Sequence, residues 1–437
     1  MKKSIFLILP AVMLMLASCM DSAGGNGGAG SVRVVLPGSS RDVSGSDRAD
    51  SYTVSLLKGG KVIESQTAVP GGAVEFDEVD AGSYTVDVEA TLSGALSGVG
   101  SAEVAVTEGE TASCSVLMSR VYTADAAAEY IESLEAGSYK VIVAGAIDDA
   151  GIEGIKTALN ENNINKPLVS LDLGRTTGLS SIGAANFQNC TALSAIVLPE
   201  GIGSIKESAF EGCTSLASVT IPDTVNEIGQ FAFRNCSALK SIEIPNSVTT
   251  IASGAFRECT ALTSIEIPRG VITIGSDSFN GCTALESIEI PDSVTTIERA
   301  AFHGCSSLTD VYIPDSVTEI GNQTFTNCSN LKSIVLSAGI TSIADQVFRN
   351  CTALTSIEIP DGVSEIKSSA FMSCTALETI TIPASLTSIG ANAFVSCNKL
   401  KTVYYSGTKE QWSSSSIESS LASGVTIICS NGNTTTP

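Results

Sequence analysis

The chain has 437 residues, enough for more than one domain, and a formal net charge of −22. That balance excludes the basic footprint that nucleic-acid binding needs, and it suits a soluble, self-repelling surface. Histidine and tryptophan occur once each, so chemistry built on an imidazole has a single candidate, His303.

Residues 1–18 read as a targeting segment. Lys2 and Lys3 precede an apolar run over residues 5–16, which is too short to span a bilayer as a helix. The following Leu16-Ala17-Ser18-Cys19 resembles a bacterial lipobox. The resemblance implies cleavage before Cys19, a diacylglycerol on its sulfur, and an exported chain held by lipid at the outer membrane or cell surface of a bacterium. The competing reading is an ordinary signal peptide with a chance cysteine. Residues 19–30 then form the lipidated cysteine and a glycine-rich tether.

Residues 31–120 alternate with period two. Val32 and Val34 start the pattern; Tyr52-Val54-Leu56, Val74-Phe76, Tyr84-Val86-Val88, Val104-Val106 and Cys114-Val116-Met118 continue it, and Lys58-Gly59-Gly60-Lys61 is a hairpin turn signal. Short strands joined by glycine turns predict a β-sandwich. Over residues 121–167 the period changes. Ala127, Tyr130, Ile131 and Leu134 fit a helix, residues 139–143 a strand, and Ile152, Ile155, Ala158 and Leu159 a second helix that Lys166-Pro167 ends. Such an α/β block should cap the repeats that follow, because an open coil exposes apolar surface and an unpaired strand edge.

From residue 168 to 405 one unit of 23 residues repeats. Cysteine recurs at Cys190, Cys213, Cys236, Cys259, Cys282, Cys305, Cys328, Cys351, Cys374 and Cys397. Phenylalanine stands three residues before each and leucine three after. In residues 241–263, SIEIPNSVTTIASGAFRECTALT, Ile242 and Ile244 alternate as in a short strand, and Pro245 ends it because proline cannot donate to a ladder. Val248, Ile251, Ala255, Phe256, Cys259 and Leu262 complete the apolar set, with Ala255 and Phe256 on one tight helical turn. A period of this kind predicts a solenoid in which each coil stacks on its neighbours.

These residues resemble the BspA-like class of leucine-rich repeats, in which each coil carries I-x-I-P, V-x-x-I and A-F-x-x-C segments. Departures are few: Ser337 replaces the proline, Val347 and Thr324 replace the alanine, and the opening coil lacks the cysteine. The resemblance implies a right-handed solenoid with a parallel sheet on one face and short helical turns. The expected fold is therefore a β-rich solenoid preceded by a small β-sandwich and an α/β cap. The resemblance also implies adhesion to host extracellular proteins or to other surface proteins.

Cysteines of an exported chain pair by default. A ladder of identical positions, however, sets the Cβ vectors parallel, which makes disulfide torsions poor and predicts a column of buried thiols. Residues 406–437 are read as a C-terminal cap and tail. Trp412 is expected to cover the final phenylalanine, residues 430–437 are expected to be disordered, and Cys429 has no assigned place.

The candidate site follows from alternation. If the paired isoleucines point inward, the residue between them points to solvent. That row reads Val197, Thr220, Glu243, Glu266, Glu289, Tyr312, Val335, Glu358, Thr381 and Tyr404, beside a row of serines interrupted by Asp310. Glu243, Glu266, Glu289, Tyr312, Val335, Glu358 and Tyr404 form the expected binding face, suited to a basic partner with an apolar anchor. A solvated sheet face with no ligand is the competing reading. His303 occupies a slot that holds Arg234, Arg257, Asn280 and Met372 in other coils, so it reads as a variable surface position. No catalytic residue, metal site or cofactor is expected, and the chain is read as a non-enzyme. The leading expectation is a lipid-anchored, monomeric surface protein whose repeats bind macromolecular partners, as an adhesin. The alternatives are a structural envelope lipoprotein without a specific ligand and, third, a carbohydrate-binding accessory protein.

Overall fold

The computed structural model describes residues 30–35, 49–69, 72–92, 95–107, 111–113, 119–161, 167–414, 421 and 423–436. The signal segment, Cys19 and the Cys114-Val116-Met118 run lie outside the described residues. The chain divides into two compact units, residues 1–127 with 141–145 and residues 128–140 with 146–437.

In the first unit the strands are β1 (Gly30–Val35), β2 (Ser51–Lys58), β3 (Lys61–Ala68), β4 (Ala73–Val79), β5 (Gly82–Leu92), β6 (Ala95–Val106), β7 (Thr111–Ser113) and β8 (Ser119–Tyr122). One sheet has the order β4-β1-β7; another runs β8-β6-β5-β2-β3. Their inward residues, among them Val32, Val34, Tyr52, Val54, Phe76, Val86 and Val104, share one core, as the alternation requires of a β-sandwich. Gly59 and Gly60 both take positive φ, 58° and 78°, the mirror-image turn that joins twisted antiparallel strands. Tyr84 fixes the β4–β5 corner: its hydroxyl donates to the Asp80 carbonyl at 2.9 Å and accepts from Lys58 Nζ at 3.2 Å.

The helix–strand–helix block is present as α1 (Ala124–Glu132), β9 (Ser138–Ala146) and α2 (Asp149–Glu161). The side chains of Thr123 and Asp148 accept from the first-turn amides of Ala126 and Gly151, which caps the two helices. The division into units runs through this block, with residues 141–145 of β9 in the first unit and α2 in the second. The apolar side of α2, Ile152, Ile155, Ala158 and Leu159, is fully buried. Lys156 and Glu153 act electrostatically on the Cys190 thiol, which places α2 beside the first cysteine of the repeats. No helix among the described residues is long and apolar enough to cross a membrane.

The second unit is a β-solenoid with two parallel ladders. One uses the I-x-I strands: Leu193–Val197 with Ser218–Thr220, Asp310–Tyr312 with Ser333–Val335, and Ser356–Glu358 with Thr379–Ile382 and Thr402–Tyr405. The other is built from two-residue strands such as Thr250–Ile251, Thr273–Ile274 and Thr296–Ile297, paired in register at the 23-residue step. The resemblance implied a single sheet. The V-x-x-I segment, too short to show period two, supplies the second.

Between the ladders each coil turns around its phenylalanine. The residues two before and two after every repeat phenylalanine have positive φ, as in Ala185 and Asn189 around Phe187 or Asp277 and Gly281 around Phe279. The second of these positions is filled mostly by Asn or Gly (Asn189, Gly212, Asn235, Gly281, Gly304, Asn327, Asn350), the residues that tolerate left-handed backbone best. The turns are tied from coil to coil: Phe187 N donates to Ala209 O, Phe210 N to Ala232 O and Phe279 N to Ala301 O, each at 2.8 Å. The rings stack with centroids 5.3–5.9 Å apart, close to parallel along most of the column.

The ten repeat cysteines and Cys429 are free and buried. From Cys213 to Cys397 each thiol donates to the phenylalanine carbonyl of the preceding coil, Cys213 Sγ to Phe187 O at 2.9 Å and Cys282 Sγ to Phe256 O at 3.1 Å. Cysteine thus acts as a small hydrophobe with one weak donor, and both properties are used. Burial pushes the Cys190, Cys282 and Cys328 thiols up to about 12.

The C-terminal expectations need two corrections. Thr426–Cys429 adds a parallel strand beside Thr402–Tyr405, and Gly432–Thr435 pairs antiparallel with it, so residues 430–436 are not a disordered tail. The hairpin covers the strand edge of the last coil, and Cys429 is buried within it. Trp412, on α3 (Lys409–Ser414), is fully buried, and its ring meets Tyr405 edge-on at 5.2 Å rather than lying over the last phenylalanine.

Candidate binding face

The outward row lies where alternation puts it. Ile242, Ile244, Ile265, Ile267, Ile288 and Ile290 are at most 7% exposed, while Glu243, Glu266, Glu289 and Glu358 between such pairs are exposed. Tyr312, Val335 and Tyr404 are 59%, 56% and 45% exposed, which makes them the large apolar side chains that this row gives to solvent. Glu266 faces Glu289, Tyr312 faces Val335, and Glu358 and Tyr404 both neighbour Thr381 in the ladder.

The ladder itself is interrupted on this row. After Ser218–Thr220 no strand forms until Asp310–Tyr312, and only the isolated bridges Glu266 to Glu289 and Ser287 to Asp310 remain. The interruption coincides with Glu243, Glu266 and Glu289. Carboxylates stacked about 5 Å apart repel by roughly 1 kcal/mol per pair in water, and like charges directly opposite one another weaken strand pairing.

Part of the row lines an open groove of about 850 Å³. Glu266, Glu289, Tyr312 and Val335 come together there, with Asp292, Asp310 and Arg269. Glu243, Glu358 and Tyr404 lie along the same row outside it. Four carboxylates against one guanidinium leave the groove acidic. The Asp310 carboxyl accepts a hydrogen bond from Ser333, which holds it below the ordinary carboxylate range. Asp310 joins the groove although it belongs to the neighbouring row, and its signal in the sequence is the break in an otherwise serine row. Asp292 and Arg269 were hidden in the turns after the strands.

His303 is half-buried rather than free at the surface. Its Nδ1 lies 3.3 Å from Asn280 Oδ1 and its Nε2 3.3 Å from Asn327 Nδ2, so it bridges the turns of three coils, and burial lowers its pKa. Among the described residues no group of three or more His, Cys, Asp or Glu side chains is placed to hold a metal ion.

Residues 180–309 and 295–424, more than half of the chain, match the profile of the BspA type leucine rich repeat region, in six copies. The chain belongs to the BspA type leucine-rich repeat family. Membership supports a repeat-based binding role, of the protein-binding kind that leucine-rich repeats generally serve. No curated protein matches the chain. Similar solved structures include a leucine-rich repeat protein from Bacteroides ovatus, 26% identical over 66% of this chain and 88% of that one, with a TM-score of 0.35. A leucine rich cell surface protein from Faecalibacterium prausnitzii is 29% identical over 64% and 85%, with a TM-score of 0.34. The pneumococcal vaccine antigen PcpA is 16% identical over 68% and 90%, with a TM-score of 0.42.

Proposed function

We propose that this chain is a lipid-anchored bacterial surface protein, not an enzyme, whose repeat face binds a basic macromolecular partner as an adhesin. One observation carries the reading: exposed Tyr312 and Val335 stand beside Glu266 and Glu289 in an open groove on the outward row. An aromatic anchor among carboxylates supplies both parts of a recognition site. The charges steer association, and the desolvated ring slows dissociation. The lipobox-like Leu16-Ala17-Ser18-Cys19 and the glycine-rich tether supply attachment at the surface.

The test is capture of partners from extracellular matrix and cell-surface fractions by the full chain, repeated with a variant carrying Glu266→Lys and Tyr312→Ala. Partners held by the wild type and lost by the variant support the reading; equal capture by both places the site elsewhere. Metabolic fatty-acid labelling should vanish in Cys19→Ala, and labelling that persists would refute the anchor.

A further inference from the structure

Both parallel ladders lapse together at one step of the solenoid. On the I-x-I side Ser333–Val335 pairs back to Asp310–Tyr312 but not onward to Ser356–Glu358. On the V-x-x-I side Ser342–Ile343 pairs onward to Glu365–Ile366 but not back to Glu319–Ile320. Between Val335 and Ser342 the chain therefore passes from a strand tied to the coil before it to a strand tied to the coil after it. Among the described residues this is the one step at which both ladders are open.

The cause is local. In the coils from Pro222 to Pro383 the proline carbonyl accepts from the amide three residues on, as Val317 N donates to Pro314 O at 3.0 Å and Val363 N to Pro360 O at 3.1 Å. Ser337 stands in the proline position here, and its carbonyl accepts no such bond from Ile340. Its hydroxyl takes over: Oγ accepts from Gly339 N at 2.9 Å and donates to Val317 O at 2.6 Å. A serine side chain that competes for backbone partners reshapes the turn, and the V-x-x-I segment that follows leaves the ladder. Thr341 N and Ala344 N lack the bonds that their equivalents in the coil before, Thr318 N and Gly321 N, make to Thr295 O and Ile297 O at 2.9 and 2.7 Å.

The turn side stays closed. Three backbone hydrogen bonds cross the step there, Gln323 N to Asp345 O, Phe325 N to Val347 O and Asn327 N to Arg349 O, at 2.8–2.9 Å. Phe325 and Phe348 stack at 5.9 Å, the widest step of a column whose other steps measure 5.3–5.6 Å. The next pair, Phe348 and Phe371, is tilted by 21°, while the other pairs lie within 7° of parallel. Away from the turns the links go through side chains, among them Ala338 N to Asp315 Oδ1 at 2.8 Å and Thr352 Oγ1 to Ser329 O at 3.1 Å. On the V-x-x-I side a cleft of about 750 Å³ opens along the step, with Glu319, Ile320 and Asn322 on one wall and Thr341, Ser342 and Ala344 on the other.

We propose that Ser337 makes this step a hinge, about which the coils up to Val335 and the coils from Ser342 rotate as two rigid blocks with the phenylalanine turns as the axis. Parting an ordinary step would cost its ladder bonds, each about 0.5–1.5 kcal/mol; here those bonds are already absent. A hinge needs a few residues that absorb the backbone change, and residues 336–341 supply them. Tyr312, Val335, Glu266 and Glu289 then move as one body, and Glu358 and Tyr404 as another. The hinge stands on the backbone alone; its bearing on binding rests on the reading of the outward row as a binding face.

Two measurements on the full chain test this, and neither requires a ligand. In hydrogen exchange the amides of Thr341 and Ala344 should exchange at least about tenfold faster than those of Thr318 and Gly321. Electron–electron distance measurements between spin labels, carried on unnatural side chains so that the thiols stay unmodified, read the motion. A pair at positions 273 and 365 spans the hinge; a pair at 227 and 319 spans as many coils within the first block. The distribution for 273–365 should be the broader. Ser337→Pro restores the repeat template and removes no backbone hydrogen bond, since Ser337 N makes none. It should slow exchange at Thr341 and Ala344 by about tenfold and narrow the 273–365 distribution. Equal widths for the two wild-type pairs would overturn the hinge, and so would Thr341 and Ala344 amides as protected as Thr318 and Gly321. A folded Ser337→Pro that changes neither readout would overturn the assignment to Ser337; if that variant does not fold, the wild-type comparisons decide.

Discussion

The two sides of each coil obey different rules. On the turn side, phenylalanine and cysteine recur without exception from Phe187 and Cys190 to Phe394 and Cys397, fully or almost fully buried, and the same backbone and thiol hydrogen bonds repeat from coil to coil. On the I-x-I side the inward isoleucines are conserved in kind, but the outward residue varies and the ladder breaks where Glu243, Glu266 and Glu289 follow one another. The V-x-x-I ladder sharpens the contrast. Its outward residues include Glu227 and Glu319, but Thr250, Thr273 and Thr296 stand between them, and pairing is continuous over that span. It breaks between Glu319–Ile320 and Ser342–Ile343, near the coils where Thr324 and Ser337 depart from the template. Both ladders also break at the coil of Ser337, between Ser333–Val335 and Ser356–Glu358 on the I-x-I side, so departures from the template interrupt pairing as well as the run of glutamates. The stretch where carboxylates stack beside exposed Tyr312 and Val335 is where binding is best sought.

The largest way to break the regular side is alkali. The unfolded chain releases thiol protons near its ordinary pKa, while the folded coils keep them, so above that pH the unfolded state binds fewer protons and stability falls as pH rises. For Cys282 and Cys328 the loss begins near 9 and continues to about 12, and it is absent below that range. Each of these two thiols then costs about 1.4 kcal/mol of stability per pH unit. Circular dichroism should show the repeats unfolding above pH 9 and a shallower pH dependence in Cys282→Ala. A pH-independent melting temperature between 7 and about 10.5 would contradict a column of protonated thiols.

Phe279→Ala comes next, at about 3–5 kcal/mol for a lost buried aromatic. Hydrogen exchange should rise most in the coils carrying Phe256 and Phe302, whose rings stack on it at 5.6 and 5.4 Å. Uniform change along the repeats would argue against nearest-neighbour coupling. Cys282→Ala should cost only about 1–2 kcal/mol at neutral pH, because a small hydrophobe and one weak donor are lost and no crosslink. Denaturant melts with and without reductant should give the same value; a reductant-dependent difference would reveal disulfides.

The smallest effect lies on the variable side and has the opposite sign. Glu266→Thr separates Glu243 from Glu289 and should stabilise by about 0.2–1 kcal/mol, the size of a cross-strand pair. Slower amide exchange over residues 264–290 would show the ladder closing. A neutral or destabilising result would mean that stacked charge is not what interrupts it.

The 23-residue register fixed in advance which residues are buried, because a solenoid stacks identical positions and the apolar ones must face one another. Alternation likewise placed Glu266, Tyr312 and Val335 outward, since successive strand residues point to opposite sides. Tertiary structure decided the rest. A two-residue strand such as Thr296–Ile297 has no readable period, so the second ladder exists only through its neighbours. The groove joins Arg269 and Asp292 to the row because turns of adjacent coils converge there. His303 looked free in one dimension and is bridged in three, because residues 23 apart in sequence become contacts about 5 Å apart in the stack. The closing hairpin of Thr426–Cys429 and Gly432–Thr435 is polar in its last strand, and its fold comes from the open edge of the coil beneath it, whose backbone donors and acceptors need partners.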